Sequence, residues 1–163
     1  MRKIFVTGCN SQGDLGFPTC PSIPSFTLHE KISKLHVRSI SSGFESTLVV
    51  TVEGKLYEIF KNEFFYVDFF PAGSFVIQVT CRGKNNMALV SLPGNIYKVF
   101  SWRSCTTNIK NNDFIEHLSL NEPIKKLASG YYAWVALLAD EKTIYQCGDF
   151  THSTTVVYTT PTI

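Results

Sequence analysis

The chain has 163 residues, of which 17% are charged and 44% hydrophobic, and its formal net charge is +2 at pH 7. The length favours a single domain, and the high apolar content excludes a disordered, charged tail. Val, Ile, Thr, Phe, Tyr and Trp together supply 62 residues, whereas Ala occurs six times. Because β-branched and aromatic residues favour strands and Ala favours helices, the composition predicts an all-β fold.

The small net charge argues against direct contact with nucleic acid and against a membrane surface. The longest apolar runs, such as 134–139, are far shorter than the ~20 residues of a membrane-spanning helix. The densest basic stretch, His29 to Arg38, contains Lys31 and Lys34. Its composition favours a solvated face over a phosphate- or acid-binding patch.

The cysteines indicate a reducing compartment. Their number is odd, and no two of them form a CxxC pair. A zinc site is the alternative to reduced thiols, but the cysteine spacings of 11, 61, 24 and 42 residues match no closed zinc pattern. Arg2 and Lys3 precede an apolar segment too short for a secretory signal. We therefore expect an intracellular protein, cytoplasmic or nuclear, with reduced thiols and without a metal or cofactor. The cysteines are Cys9, Cys20, Cys81, Cys105 and Cys147.

The first predicted elements are an isolated pair of strands at Lys3 to Gly8 and roughly Ser25 to Glu30. A pattern of strands and turns then recurs three times. Gly43 precedes Gly54 by 11 residues, and Gly83 precedes Gly94 by the same number. A third copy begins at Gly130, so the periods are 40 and 47 residues.

Each copy predicts four strands, with a hairpin turn between the second and third. Three or four antiparallel strands in 40–50 residues are typical of a propeller blade. We therefore predict an all-β, partial or open β-propeller of about three four-stranded antiparallel blades plus the N-terminal strand pair. All 163 residues form one repeat domain in this interpretation. Its parts are 1–36 (strand pair and loop), 37–70, 75–120 and 124–160 (blades).

Residues 8–16, Gly-Cys-Asn-Ser-Gln-Gly-Asp-Leu-Gly, together with the Gly-x-x-Ser-Thr segment that begins at Gly43, carry a family resemblance. They resemble the regulator of chromosome condensation repeat, in which Asn-x-x-Gly-Gln-Leu-Gly precedes a proline-containing loop. The family's histidine after the glycine is replaced by Ser46, Asn86 and Ala133. The resemblance implies a propeller whose full ring has seven blades, and its name-giving member implies nucleotide exchange on a Ran-like GTPase.

Glycines in the repeat are expected to have structural roles in turns. All but the first and last of them are expected to adopt positive φ. These structural residues are Gly8, Gly13, Gly16, Gly43, Gly54, Gly83, Gly94, Gly130 and Gly148.

The sequence predicts no catalytic, metal or cofactor-binding residue. The 8–13 segment superficially resembles a phosphate loop, but Asp14 and Leu15 stand where Lys and Ser/Thr are needed. The four histidines have no metal-ligand spacing, and nothing indicates a catalytic triad. In the aromatic segment 64–70, buried packing is favoured over an exposed binding patch. The candidate partner surface comprises Lys31, Lys34, Arg38, Phe65 and Phe69.

The leading functional hypothesis is a non-catalytic protein-interaction module, because a repeat scaffold lacks any catalytic constellation. The alternative is an exchange factor or regulator of a Ran-like small GTPase, and a hydrolase has the weakest support. Three blades are fewer than the ~4–8 of closed propellers. The chain is therefore a fragment of a larger propeller, a partial ring that a second copy completes, or an open arc of blades.

Overall fold

A computed structural model describes residues 3–82, 85–103, 114–130, 133–148 and 155–159. The described residues form fourteen β-strands and one short helix. Every strand pairing among them is antiparallel. The predicted all-β class is therefore confirmed. Gly83 and Cys105 lie outside the described residues.

The N-terminal pair is a two-stranded sheet of β1 (Phe5–Cys9) and β2 (Ser22–Leu28). The second strand begins earlier than the predicted Ser25 to Glu30. Helix α1 (Glu30–Ser33) was not predicted. It forms because the His29 side chain caps its first turn, a role more often taken by Ser, Thr, Asp or Asn.

Three four-stranded sheets follow in chain order, each a simple meander. The first sheet contains β3 (Val37–Ser42), β4 (Ser46–Thr51), β5 (Leu56–Phe60) and β6 (Glu63–Val67). The second contains β7 (Phe75–Arg82), β8 (Asn85–Leu92), β9 (Ile96–Arg103) and β10 (Phe114–Leu120). The third contains β11 (Ile124–Ser129), β12 (Ala133–Leu138), β13 (Thr143–Gly148) and β14 (Thr155–Thr159). Three sheets plus the N-terminal pair match the predicted open propeller. Their assignment to one repeat domain with the predicted boundaries stays a prediction.

The sheets stack face to face in chain order. One apolar cluster joins the first and second sheets and includes Leu48, Val50, Ala88 and Val90. A second cluster joins the second and third sheets around Trp134. A third, smaller cluster covers the other face of the first sheet with α1. Each four-stranded sheet thus buries at least one face against its neighbour.

The second blade is shifted by one residue relative to the glycine-based alignment. Leu48 and Val50 face the second sheet, whereas their predicted counterparts Ala88 and Val90 face the first sheet. A shift of one residue moves every side chain of a strand to the other face, so the alignment was out of phase at β8. In the third sheet the prediction that Val135 and Leu137 pack on a neighbouring sheet is wrong, because the residues of β12 that pack on the second sheet are Trp134, Ala136 and Leu138.

The turn glycines follow two rules. Positive φ occurs at Gly8, Gly13, Gly16, Gly54 and Gly94. The prediction of positive φ is wrong for Gly43 and Gly130, which lie outside the left-handed region. At Gly43 the reason for glycine is space, because a Cβ there would lie 2.9 Å from Cys81 Cβ in the second sheet.

Candidate functional site

An open groove lies between the N-terminal pair and the exposed part of the first sheet. Its volume is about 290 Å³. Three of its apolar side chains are substantially exposed: Phe26 at 77%, Phe5 at 51% and Ile40 at 39%. The groove is lined by Ile4, Phe5, Val6, Thr7, Asp14, Leu15, Phe26, Ile32, Ile40, Ser42, Thr47 and Ile59.

One wall of the groove is the edge of β1. Four consecutive residues, 4–7, line it, whereas a strand face would contribute only alternate residues. β2 pairs with the opposite edge, and no other strand of the described residues pairs with β1. Within the described residues this edge of β1 is therefore left without a neighbouring strand.

The backbone contacts at both ends of β1 show which residues face the groove. The carbonyl of Ile4 accepts the His29 amide at 2.8 Å, and the Asn10 amide donates to the Pro21 carbonyl at 2.8 Å. Both contacts point toward β2, and successive residues alternate sides in an antiparallel strand. The backbone N–H and C=O groups of Phe5 are therefore directed away from β2, while a register shift between Val6 and Gly8 interrupts the regular alternation further along β1.

The loop that follows β1 is held rigidly against the first sheet. The Asn10 side chain donates to the carbonyls of Phe17 and Cys20, each at 2.8 Å, and accepts the Leu15 amide at 2.8 Å. The Asn62 amide donates to the Gly13 carbonyl at 2.8 Å. These bonds fix the position of the loop at one end of the groove.

Helix α1 forms another part of the groove and is tied to β1. The Ser33 hydroxyl accepts the Ile4 amide at 2.9 Å, and His29 Nδ1 accepts the Ile32 amide at 3.2 Å. His29 is only 4% exposed. Burial lowers the pKa of His29, and the nearby charge of Lys31 acts in the same direction. The helix therefore depends on a neutral imidazole.

Asp14 is the only acidic side chain among the residues that line the groove. Partial burial raises the pKa of its carboxyl group. Hydrogen bonds with Ser11 lower the pKa of the Cys9 thiol, and the Asp14 charge opposes them. When ionised, Asp14 gives the apolar groove one negative charge.

A second polar arrangement is buried between the first and second sheets. Glu58 is fully buried and accepts hydrogen bonds from Asn86 Nδ2 at 2.8 Å and from Trp102 Nε1 at 3.1 Å. The Ser46 hydroxyl donates to Asn86 Oδ1 at 2.8 Å. The network has no opening to solvent at Glu58, so it ties the sheets together and offers no substrate site. Sequence analysis missed it, although one charged residue within the apolar strand 56–60 was a signal.

The predicted partner surface does not form one patch. Lys31 on α1, Lys34 directly after α1 and Arg38 on β3 are exposed, and the Arg38 guanidinium lies 5.5 Å from the Phe75 ring centroid. Phe65 and Phe69 are half-buried and pack against the core between the first and second sheets. The role of these five residues in binding stays a prediction.

The described lining of the groove is mostly apolar, with Asp14 as its carboxylate. Within the described ranges no group of three or more His, Cys, Asp and Glu side chains could hold a metal ion. The same part of the chain contains no helix long and apolar enough to cross a membrane.

No family model and no curated protein matches this sequence. Solved structures match it in fold. Prp20p from Saccharomyces cerevisiae aligns with a TM-score of 0.68 and 16% identity over 90% of this chain and 41% of its own. The chain has an RCC1-like β-propeller fold.

Two further structures agree with this RCC1-like fold. Yeast RCC1 (Prp20) bound to Kap60 gives a TM-score of 0.65 at 16% identity, covering 90% of this chain and 40% of the other. Human WBSCR16 gives 0.65 at 17% identity, covering 91% and 43%. The chain spans 40–43% of the length of these structures. Identities this low establish the fold and leave activity open.

Proposed function

We propose that the protein is a non-catalytic interaction module that binds another protein through the groove beside β1. The observation that carries the proposal is the combination of a strand edge that no described strand covers with three exposed apolar side chains, Phe5, Phe26 and Ile40. Exposed apolar surface of this kind marks sites of protein association. The proposal includes an intracellular location, cytoplasmic or nuclear, and no direct contact with nucleic acid.

Proteins of similar fold support this proposal. The solved structure of Prp20p is described together with its binding to Gsp1p and histones, and yeast RCC1 (Prp20) has been solved bound to Kap60. The fold is therefore compatible with several protein partners. Loops and edges of a repeat scaffold supply such binding surfaces without acid–base residues.

A matched pair of variants tests the proposal. Ile40→Glu introduces a charge into the groove, and Ile115→Glu introduces the same charge at an isoleucine of similar exposure on the second sheet. Proteins that the wild type captures from an extract of source cells are purified. Their affinities are then measured for the wild type, Ile40→Glu and Ile115→Glu. We expect Ile40→Glu alone to weaken binding. Equal affinities of all three forms, or no captured protein, would contradict the proposal.

Regulation of a Ran-like small GTPase is the second candidate, because the similar protein Prp20p binds Gsp1p. The test is release of a fluorescent guanine nucleotide from a purified Ran-like GTPase with and without the full chain. Acceleration above the intrinsic rate would support exchange activity. An unchanged rate, with EDTA-induced release as the positive control, would exclude it for that GTPase.

Self-association that completes the ring is a further part of the proposed partnership. Sedimentation velocity over a wide range of protein concentrations tests it. A sedimentation coefficient that rises with concentration supports assembly, and a constant monomer value contradicts it.

A further inference from the structure

We propose that a pocket between the first sheet and the segment 68–74, which leads into β7, binds an arginine side chain of a partner protein. The volume of the pocket is about 230 Å³. It shares no lining residue with the groove beside β1. The inference therefore goes beyond the proposed function and adds a second binding site.

One stretch of the chain forms the whole pocket. All of the residues that line it lie between Gly54 and Val76, and every residue of this stretch is described. The stretch contains β5, β6 and the connection from the first sheet to the second. The shape of the pocket therefore depends on two sheets that are adjacent in the chain.

The segment 68–74 is held in a fixed conformation. Its last residue closes a tight turn, because the Ser74 amide and hydroxyl both donate to the Pro71 carbonyl, at 3.2 and 2.5 Å. The Val76 amide donates to the Gly54 carbonyl at 3.0 Å, which joins β7 to the turn before β5. Because the walls are already ordered, a ligand loses little binding free energy to conformational ordering.

Asp68 gives the pocket a negative charge. It is the one charged residue among the described residues that line the pocket, and it is exposed. No hydrogen bond or ion pair engages its carboxylate in the described part of the chain. Complementary charge favours a cationic ligand, and hydrogen bonds between a cationic donor and a carboxylate are stronger than neutral ones.

Backbone peptide groups supply further acceptors. Gly54, Ala72 and Gly73 line the pocket with no side chain larger than a methyl group, so a ligand meets their backbone. A peptide carbonyl has two lone pairs and can accept a second hydrogen bond even where it already accepts one. The pocket therefore matches a cation that carries several N–H donors.

The remaining lining residues favour arginine over lysine. Leu56, Val67 and Val76 are buried apolar residues of the lining, which suit the methylene stem of a long basic side chain. Tyr66 and Phe70 add two aromatic residues. A guanidinium group carries five donors in one plane, stacks on aromatic rings and is weakly hydrated, whereas an ammonium group is compact and strongly hydrated.

An arginine within a protein is a better occupant than free arginine. Pro71, Ala72 and Gly73 line the pocket and are exposed, so they can contact the residues on either side of a protein arginine. Free arginine has the same guanidinium group but no flanking residues. We therefore expect a short peptide to bind more tightly than the free amino acid.

The test titrates the full chain with the capped peptide acetyl-Ala-Arg-Ala-amide and follows the backbone amides of Gly54, Gly73 and Ser74 by NMR. A ligand of this size is expected to bind with a Kd on the order of 1 mM. Citrulline in place of arginine keeps the shape of the side chain and removes its charge. We expect the citrulline peptide to bind about 5-fold more weakly, and the corresponding lysine peptide and free L-arginine to bind more weakly than the arginine peptide.

Two variants of the protein locate the site. Asp68→Asn is expected to weaken binding of the arginine peptide about 5-fold, because it removes the carboxylate that pairs with the guanidinium group. Glu63→Gln removes the same charge from an exposed residue of β6 that does not line the pocket. It is expected to leave the Kd unchanged, and it controls for the change in net charge.

Each alternative outcome contradicts a defined part of the inference. Equal Kd values for the arginine and citrulline peptides, equal effects of Asp68→Asn and Glu63→Gln, or shift changes confined to residues outside 54–76 would overturn the site. A lysine peptide that binds as tightly would overturn the choice of guanidinium. Free L-arginine that binds as tightly would overturn a protein partner. Ile40→Glu changes the separate groove and should leave all of these affinities unchanged.

Discussion

The indole N–H of Trp102 donates a hydrogen bond at 3.1 Å to the buried carboxylate of Glu58, across the interface between the first and second sheets. Asn86 donates a second bond to the same carboxylate. Because a buried donor without an acceptor is costly, this carboxylate holds the two sheets in one relative position.

Glu58→Ala is expected to lower the free energy of unfolding by about 2–4 kcal/mol, since it removes acceptors from two buried donors and leaves a cavity. Glu116→Ala is the matched control, because Glu116 is 42% exposed in its ion pair with Lys98 and surface pairs contribute about 0–1 kcal/mol. Urea denaturation followed by tryptophan fluorescence measures both. Equal losses in the two variants would contradict a special role for Glu58.

Alanine substitutions at Gly13 and Gly94 distinguish the cost of a steric clash from the cost of a positive φ. Both have positive φ, at 74° and 84°. A Cβ at Gly13 would lie 2.5 Å from the Asn62 amide nitrogen, whereas a Cβ at Gly94 meets nothing within 4 Å. Gly94→Ala is therefore expected to cost about 1–2 kcal/mol, and Gly13→Ala about 1–3 kcal/mol more because of the clash. Thermal and urea unfolding measure the difference, and equal costs would show that the loop does not dock on Asn62.

The thiols are expected to differ in reactivity. Burial raises the pKa of Cys81 to about 12, whereas the exposed Cys9 has a lowered pKa because of its hydrogen bonds with Ser11. The thiolate is the nucleophile, so iodoacetamide near neutral pH should modify Cys9 and leave Cys81 intact. Mass spectrometry of the digested protein identifies the sites. Ser11→Ala should slow the modification of Cys9 and leave the rate at Cys20 unchanged, and rapid modification of folded Cys81 would contradict the burial.

Stability is expected to fall with acidification through the histidine range. Burial lowers the pKa values of His29 and His117 in the folded chain, so the unfolded chain binds protons more readily. The stabilisation is complete above the unfolded pKa of about 6.5 and is lost as pH falls toward the lower folded values. Urea unfolding between about pH 7.5 and 5.5 measures this slope.

Two asparagine substitutions give the histidine prediction its control. His29→Asn keeps a side chain that caps helices and is expected to reduce the slope. His36→Asn, at an exposed position, serves as the comparison. Identical slopes in both variants and the wild type would exclude His29 as a source of the pH dependence.

The repeat predicted most of the fold because alternating apolar residues and turn glycines are local signals. They located the strands around Val49, Leu89 and Ala136 within one or two residues. The face that each strand buries was harder to predict, since Gly83 precedes Ala88 by five residues whereas Gly43 precedes Val49 by six, and this difference of one reverses the faces of β8. The capping role of His29 was also unexpected, because histidine is not among the preferred capping residues.

The candidate groove could be predicted only in part. The alignment of residues 4–8 with third strands indicated an isolated strand pair, and the structure contains one. Its position against Ile40 and Ile59 depends on tertiary contacts between segments about 35–50 residues apart, which no local pattern encodes. Phe65 and Phe69 were candidate partner residues although buried packing was favoured for their segment, whereas the exposed Phe26 was not a candidate, because a single phenylalanine in a proline-rich segment carries no periodic signal.

Amide hydrogen exchange along β1, measured by NMR with and without the protein captured by the wild type, tests the central claim most directly. In the free protein the amide of Phe5 should exchange fast, while that of Val6, which faces β2, is protected. The bound partner should slow exchange at Phe5 and leave Val6 unchanged. Protection of Phe5 without the partner, or none in its presence, would contradict binding at the groove beside β1.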